Sequence, residues 1–193
     1  MFSDELRVAM GMAVEDARQR HHEFLLLEHL LYGLLHDPRA SEILEACGAD
    51  LKALERDVLA FLDGVEGIEV EGDYEPIQTL GFRRVIQRAM LHVQSQEKTK
   101  GGPVDGGHVL VALYAEPDSH AVFLLKKQGV ERLDVVSFIS HGLRKTGPRK
   151  DMGVPAGADG DGGKKSPSEA LEEFTTDLFE RAVQGKIDPL IGR

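Results

Sequence analysis

A chain of 193 residues, 41% apolar, with no Trp and one cysteine, can bury a core of ordinary size but has no pair from which to close an intrachain disulfide. Lone Cys47 points to a reducing compartment, and no apolar run approaches the roughly 18 residues of a membrane span. The start MFSDELRVAM lacks a signal peptide's apolar region, so the expectation is a cytoplasmic protein with no membrane partner. The net charge of −10 is uneven: residues 1–75 carry −12 (18 acids, 6 bases), 76–150 carry +6 (6 acids, 12 bases) and 151–193 carry −4 (9 acids, 5 bases).

Helix signals recur from the first residues. Ser3 before Asp4 and Glu5 suits a helix start, because a hydroxyl and negative charge complement free N–H groups there. Leu6, Met10, Ala13 and Ala17 mark its inner face at helical spacing. A second helix carries Leu30, Leu31, Leu34 and Leu35. Asp37-Pro38 opens a third as cap and first helical residue, where proline's missing N–H costs nothing, and Gly48 closes it. Asp50 caps a fourth, with Leu51, Leu54, Val58, Phe61 and Leu62 inward and Gly64 at its end.

The stretch 65–78 is acidic and broken by Gly and Pro, which predicts a connector. Thr79 caps a fifth helix with Phe82, Val85, Ile86, Ala89 and Val93 inside. Residues 97–107, EKTKGGPVDGG, predict a mobile loop, and Asp105 a cap for a sixth helix through Val109, Leu110 and Leu113. Glu116-Pro117 is read as opening a seventh helix that ends at Gly129. The eighth uses Leu133, Val136, Phe138 and Ile139 and stops near Gly142. Residues 146–168 carry almost no large apolar groups and predict a flexible linker. Ser168 then caps a helix whose apolar face, Leu171, Phe174, Leu178 and Phe179, has no partner helix left in the sequence.

Within residues 1–146 one motif is written twice. Ala13 answers Ala89, His29 answers His108, Pro38 answers Pro117 and Gly48 answers Gly129, at offsets rising from 76 through 79 to 81. The extra residues fall between matched blocks, where loops belong. The reading is all-α: two tandem four-helix repeats, about 1–64 and 79–142, packed about a pseudo-twofold in one domain, 1–145. Such a module has no evident catalytic centre and offers surface.

The doubled repeat, the string HEFLLLEHLL at 22–31, ISHG at 139–142 and the closing LEEFTTDLFERAVQGKIDPLIGR resemble the AAA+ unfoldases of the Clp protease over nearly the whole chain. FTTD at 174–177 and RLDVVSFISHG at 132–142 favour the ClpA type over ClpC or ClpB relatives. The resemblance implies an N-terminal double-repeat domain, the linker, and at 169–193 the start of the first AAA+ module. It implies docking of the adaptor ClpS, delivery of proteins with destabilising N-terminal residues, and engagement of protein substrates for transfer to ClpP. ATP, Mg and the ClpP contact are implied for other regions of a hexameric parent, since no G-x-x-x-x-G-K-[ST] phosphate loop occurs in these residues. The isolated domain is expected to be a monomer without cofactor.

Four positions match those through which ClpA-type domains contact ClpS: Glu23, Glu28, Thr79 and Arg84. The resemblance implies one polar patch at the seam of the repeats. Without it, Glu23 reads as a solvated loop acid and Glu28 as a first-turn acid favoured by the helix dipole. Family members often carry Thr where this chain has Leu26, so the second helix lacks that cap.

Other constellations are weighed beside these. His21, His22 and Glu23 are adjacent and Asp63 could approach, but neighbours on a helix end point to different sides, which argues against a tetrahedral metal set. His29 and His108 hold equivalent places beside core leucines and read as hydrogen-bonded structural residues. Ser41, Ser137, Ser140 and Cys47 lie in helical patterns without a nucleophile turn or a base at recognisable spacing; Cys47 reads as a small buried hydrophobe. The basic half lacks a clustered Lys/Arg run with aromatics between, so nucleic acid is not expected as a partner. Three readings remain: an adaptor- and substrate-docking module, the same fold with a ClpC-type adaptor, and a stand-alone small enzyme or metal protein.

Overall fold

Side-chain oxygens start the helices where the sequence places them. Ser3 Oγ accepts the Leu6 N–H at 3.1 Å, Asp37 Oδ1 that of Ala40 at 2.8 Å, Asp50 Oδ1 that of Ala53 at 3.0 Å and Asp105 Oδ1 that of His108 at 3.0 Å. A computed structural model describes residues 1–69, 72, 74–100 and 102–145, for 96–100 the backbone alone. In chain order the elements are α1 (Asp4–Gln19), β1 (Phe24–Leu25), α2 (Leu27–Leu35), α3 (Pro38–Ala46), α4 (Leu51–Leu62), β2 (Ile77–Gln78), α5 (Leu80–Lys100), α6 (Gly106–Leu113), α7 (His120–Lys127) and α8 (Arg132–His141). The expected linker 146–168 and the closing helix after Ser168 lie outside the described residues.

The two halves are built alike and interlock. Within them, α1 lies along α2 as α5 lies along α6, and α2 meets α4 as α6 meets α8. Between them, α3 packs on α6 and α8, while α7 packs on α2 and α4. Each half thus lends its third helix to the other, as a pseudo-twofold requires. Leu30, Leu31 and Leu34 of α2 join Val109, Leu110 and Leu113 of α6 in a single buried cluster with no separate interior for either repeat. Helices apolar on nearly every side, like α2 and α6, are stable only when covered all round.

Short extended segments, unforeseen in the sequence, repeat the same symmetry. β1 and β2 pair in parallel, Phe24 with Ile77 and Leu25 with Gln78. An isolated bridge joins Phe2 to Val104, also in parallel. With the repeat offsets, Phe2 answers Gln78 and Val104 answers Leu25, so the two pairings are one feature made twice.

Several expectations shift. The helix expected to yield to a loop at 97 continues to Lys100. α7 begins at His120 rather than Pro117, because Ser119 Oγ caps it through the Val122 N–H at 3.2 Å. Glu116, the expected cap, is drawn instead to Arg84 and Arg88. In α8 the inward residues are Val135 and Phe138, while Leu133 is 61% exposed. Met10 is half-buried and Ala9 takes its place in the core. Gly48 and Gly129 both follow helix ends at positive φ, +87° and +74°, conformations that favour glycine.

Gly33 is fixed by packing. A Cβ there would overlap the Ala9 carbonyl of α1, whereas the second repeat accommodates Ala112 at the equivalent place. Gly33→Ala gains roughly 1 kcal/mol of helix propensity, but overlap with a backbone carbonyl costs on the order of 2–3 kcal/mol. Urea denaturation of this variant should show a net loss of stability; a gain would mean that α1 and α2 separate freely.

Candidate docking surface

The seam where β1 meets β2 gathers three of the four expected site residues. Glu23 is exposed, and its carbonyl accepts the Ile77 N–H at 2.8 Å. Thr79 is half-buried and clamps the seam: its hydroxyl donates to the Leu25 carbonyl at 3.0 Å and accepts the Phe82 N–H at 3.3 Å, closing the start of α5. Arg84, one turn on, is exposed and forks onto Glu116 at 3.1 and 2.5 Å. Arg88 joins the same carboxylate. Hydrogen bonds, first that of Arg84 and then that of Arg88, hold the Glu116 carboxyl below the usual range.

Glu28 sits differently. It is 6% exposed, and its carboxylate accepts the Ala121 N–H of α7 at 2.9 Å. It is a cap supplied across the repeat boundary, beneath the surface rather than on it. Leu26 has no oxygen to cap α2. Only the reciprocal bond forms there, from the Leu26 N–H to His29 Nδ1 at 3.0 Å.

Apolar groups complete the seam. Phe24, Ile77 and Leu80 are 43%, 58% and 67% exposed, and Phe24 and Ile77 are cross-strand partners. Neighbouring partners on one ladder project to the same side. These residues were not singled out from sequence, because no periodicity marks a two-residue strand; nor were Arg88 and Glu116, whose meeting depends on how α5 approaches the α6–α7 turn.

The histidines resolve into a buried relay. The Leu26 N–H occupies His29 Nδ1, so the His29 proton lies on Nε2 and donates to His22 Nδ1 at 2.8 Å. His22 in turn bonds the backbone of Val65. His22 and His29 are 2% and 0% exposed. Burial, with His22 and then Arg20 nearby, lowers the His29 pKa to about 4, and burial lowers that of His22 as well. The ring of His22 is therefore committed inward, while His21 is exposed and takes a left-handed backbone at φ 57°. Asp63 pairs with Arg20 instead. Among the described residues no group of three His, Cys, Asp or Glu side chains is arranged to hold a metal. His108 bonds Asp105.

The remaining chemistry is sparse. Burial pushes the Cys47 thiol up to about 11, which keeps it neutral. Ser41 Oγ donates to the Leu35 carbonyl at 2.6 Å. A cleft of about 500 Å³ beside α1 is lined by Arg18, His21, Gly72, Tyr74 and Glu75, with Arg18 paired to Glu75 at 3.2 Å. Among the described residues no helix is long and apolar enough to cross a membrane.

Two interlocked four-helix repeats joined at a short parallel seam define the fold class of the chain. Solved structures share its fold: the N-terminal domain of Hsp104 from Candida albicans (TM-score 0.61, 19% identity, 74% of this chain and 93% of that one), and a ClpV N-domain in complex with VipB peptide (TM-score 0.56, 19% identity, 74% and 86%). Residues 1–128 match the Clp repeat (R) N-terminal domain, and the chain belongs to that family. It is 39% identical over 202 aligned positions to a ClpA homolog protein of Fuscovulum blasticum, covering all of this chain and 25% of that protein. The chain thus spans about a quarter of that relative's length.

Two measurements test this geometry. Glu28→Ala removes the cross-repeat cap and leaves the Ala121 N–H buried without a partner, so it should cost about 1–3 kcal/mol in urea unfolding; an unchanged midpoint would show that the bond contributes nothing. For the histidine pair, the folded pKa values lie below the ordinary 6.5, so folding favours the neutral rings. Stability should therefore be full above about pH 6.5 and fall as pH drops toward 4. His29→Gln should flatten that slope in unfolding midpoints measured from pH 7.5 to 4.5.

Proposed function

We propose that this chain is the adaptor- and substrate-docking N-terminal domain of a ClpA-type ATP-dependent unfoldase, and that the β1–β2 seam is the surface on which ClpS docks to deliver substrates with destabilising N-terminal residues. The observation that carries this reading is the seam itself. Glu23, Thr79 and Arg84 stand there around an exposed apolar centre, Phe24, Ile77 and Leu80. An apolar centre with a charged rim is the anatomy of a protein-binding surface. Family membership and the capture of a peptide by the ClpV N-domain support it.

In this reading the domain works by logistics. Residues 146–168 tether it to an AAA+ module beginning near 169, and ATP with Mg serves modules outside these 193 residues. About 23 flexible residues give a root-mean-square reach on the order of 25 Å, which raises the concentration of captured cargo near the ring. Unfolded cargo then passes to ClpP, and the domain itself makes and breaks no covalent bond.

The test is a titration of ClpS against the purified chain by calorimetry. Glu23→Lys with Arg84→Glu should weaken binding by about 2 kcal/mol or more, roughly 30-fold, with the thermal midpoint retained. Binding of a ClpC-type adaptor but not ClpS would move the protein to the ClpC reading, and wild-type affinity in the double variant would remove these residues from the surface.

A further inference from the structure

After α8 the chain folds back on the domain before going on. Gly142 turns the backbone at φ +66°, and Lys145 returns to the helices. Its N–H donates to the carbonyl of Ala46, the last residue of α3, at 2.8 Å. Its ammonium donates to the Gly129 carbonyl, just past the end of α7, and to Asp134 Oδ2 in the first turn of α8 at 3.0 Å. One residue thus joins the first repeat to two helices of the second. Both carbonyls lie at helix C-termini, where unsatisfied acceptors and the helix dipole favour a cation. The side chains of Lys145 and Asp134 are 21% and 11% exposed, so salt screens the pair only weakly.

The residues between have no such hold. Leu143 is 62% exposed and Arg144 is exposed as well, so neither packs. The first repeat has no counterpart. The offset of 81 that carries Gly48 to Gly129 puts Ala53 at the place of Asp134 and Gly64 at that of Lys145. Neither the carboxylate nor the ammonium exists there, and the chain runs on into the connector 65–78. The lysine and its carboxylate occur only in the repeat from which residues 146 onward depart.

We infer that Lys145 is a charged latch that sets the point at which the chain leaves the domain. With the ammonium in place the exit lies at the junction of α3, α7 and α8. When the charge is removed, or Asp134 no longer answers it, the strap 143–145 lifts and the exit withdraws to the Gly142 hinge while the helices stay folded. The latch does not depend on ClpS, since it concerns only how residues 1–145 hold their own end.

The test measures amide hydrogen exchange and heteronuclear NOEs on the ¹⁵N-labelled full chain. In the wild type the Lys145 amide should be protected, with an NOE like that of Val135 in α8. Lys145→Met keeps the stem and removes the charge. It should speed exchange at that position roughly tenfold, equivalent to about 1.4 kcal/mol, and lower the NOE, with Val135 and Leu110 unchanged and the thermal midpoint retained. Lys145→Arg keeps the charge and should restore part of the protection. Asp134→Asn removes the counter-charge but keeps an oxygen for the Glu131 N–H, and should act in the same direction as Lys145→Met. Arg144→Met, beside the latch, should change nothing. An unprotected Lys145 amide in the wild type, full protection in Lys145→Met or Asp134→Asn, equal loss in Arg144→Met, or loss that spreads to Val135 would each overturn the assignment.

Discussion

Burial of α2 against α6 across the pseudo-twofold is the constraint on which the rest of this molecule depends. Both helices are apolar on nearly every side, and neither repeat has enough helices to cover its own. The solution is exchange: α7 closes over α2 and α4, and α3 closes over α6 and α8. Because each half completes the other's core, separating them would expose Leu30, Leu31, Leu34, Leu110 and Leu113 together, an apolar area that water resists. The domain therefore stands or falls as one unit, and its loops are positioned by both repeats at once.

That interlock produces two seams, and divergence between the repeats gives each its own chemistry. At one seam the short side chain of Asp37 caps its own helix. At the other, the longer Glu116 reaches two arginines, α7 starts three residues later on Ser119, and Glu28 of the other repeat supplies a further acceptor to the Ala121 N–H. Two arrangements thus start the two equivalent helices, and the leftover charges differ: exposed basic groups near β2, buried and exposed acids near Ser3. Duplication followed by such drift yields two seams of one geometry with different chemistry, with no change of fold.

His22 and His29 are committed to each other in the interior. The relay joins the α1–β1 loop, the start of α2 and Val65 after α4 through three bonds of fixed direction. It braces the loop that carries Glu23 and Phe24, so the order of the β1–β2 seam rests on neutral imidazoles beneath it.

Much was legible in the sequence. The repeat offsets, the caps Ser3, Asp37, Asp50, Thr79 and Asp105, and the glycines at 48, 129 and 142 act within a few residues of chain, so local chemistry announces them. The start of α7 and the role of Glu28 were not legible, because each involves a group distant in sequence: the pull of Arg84 and Arg88 on Glu116, and the reach of Glu28 to a helix 93 residues on. The same holds for Phe24 and Ile77, which pair across α2, α3, α4 and the connector that follows. The sequence by itself determined the helices and their doubling, since helical period and capping are local. Only the tertiary structure decided which acids face solvent, which are spent as caps and which meet an arginine, since that depends on what distant parts of the chain bring within hydrogen-bonding distance.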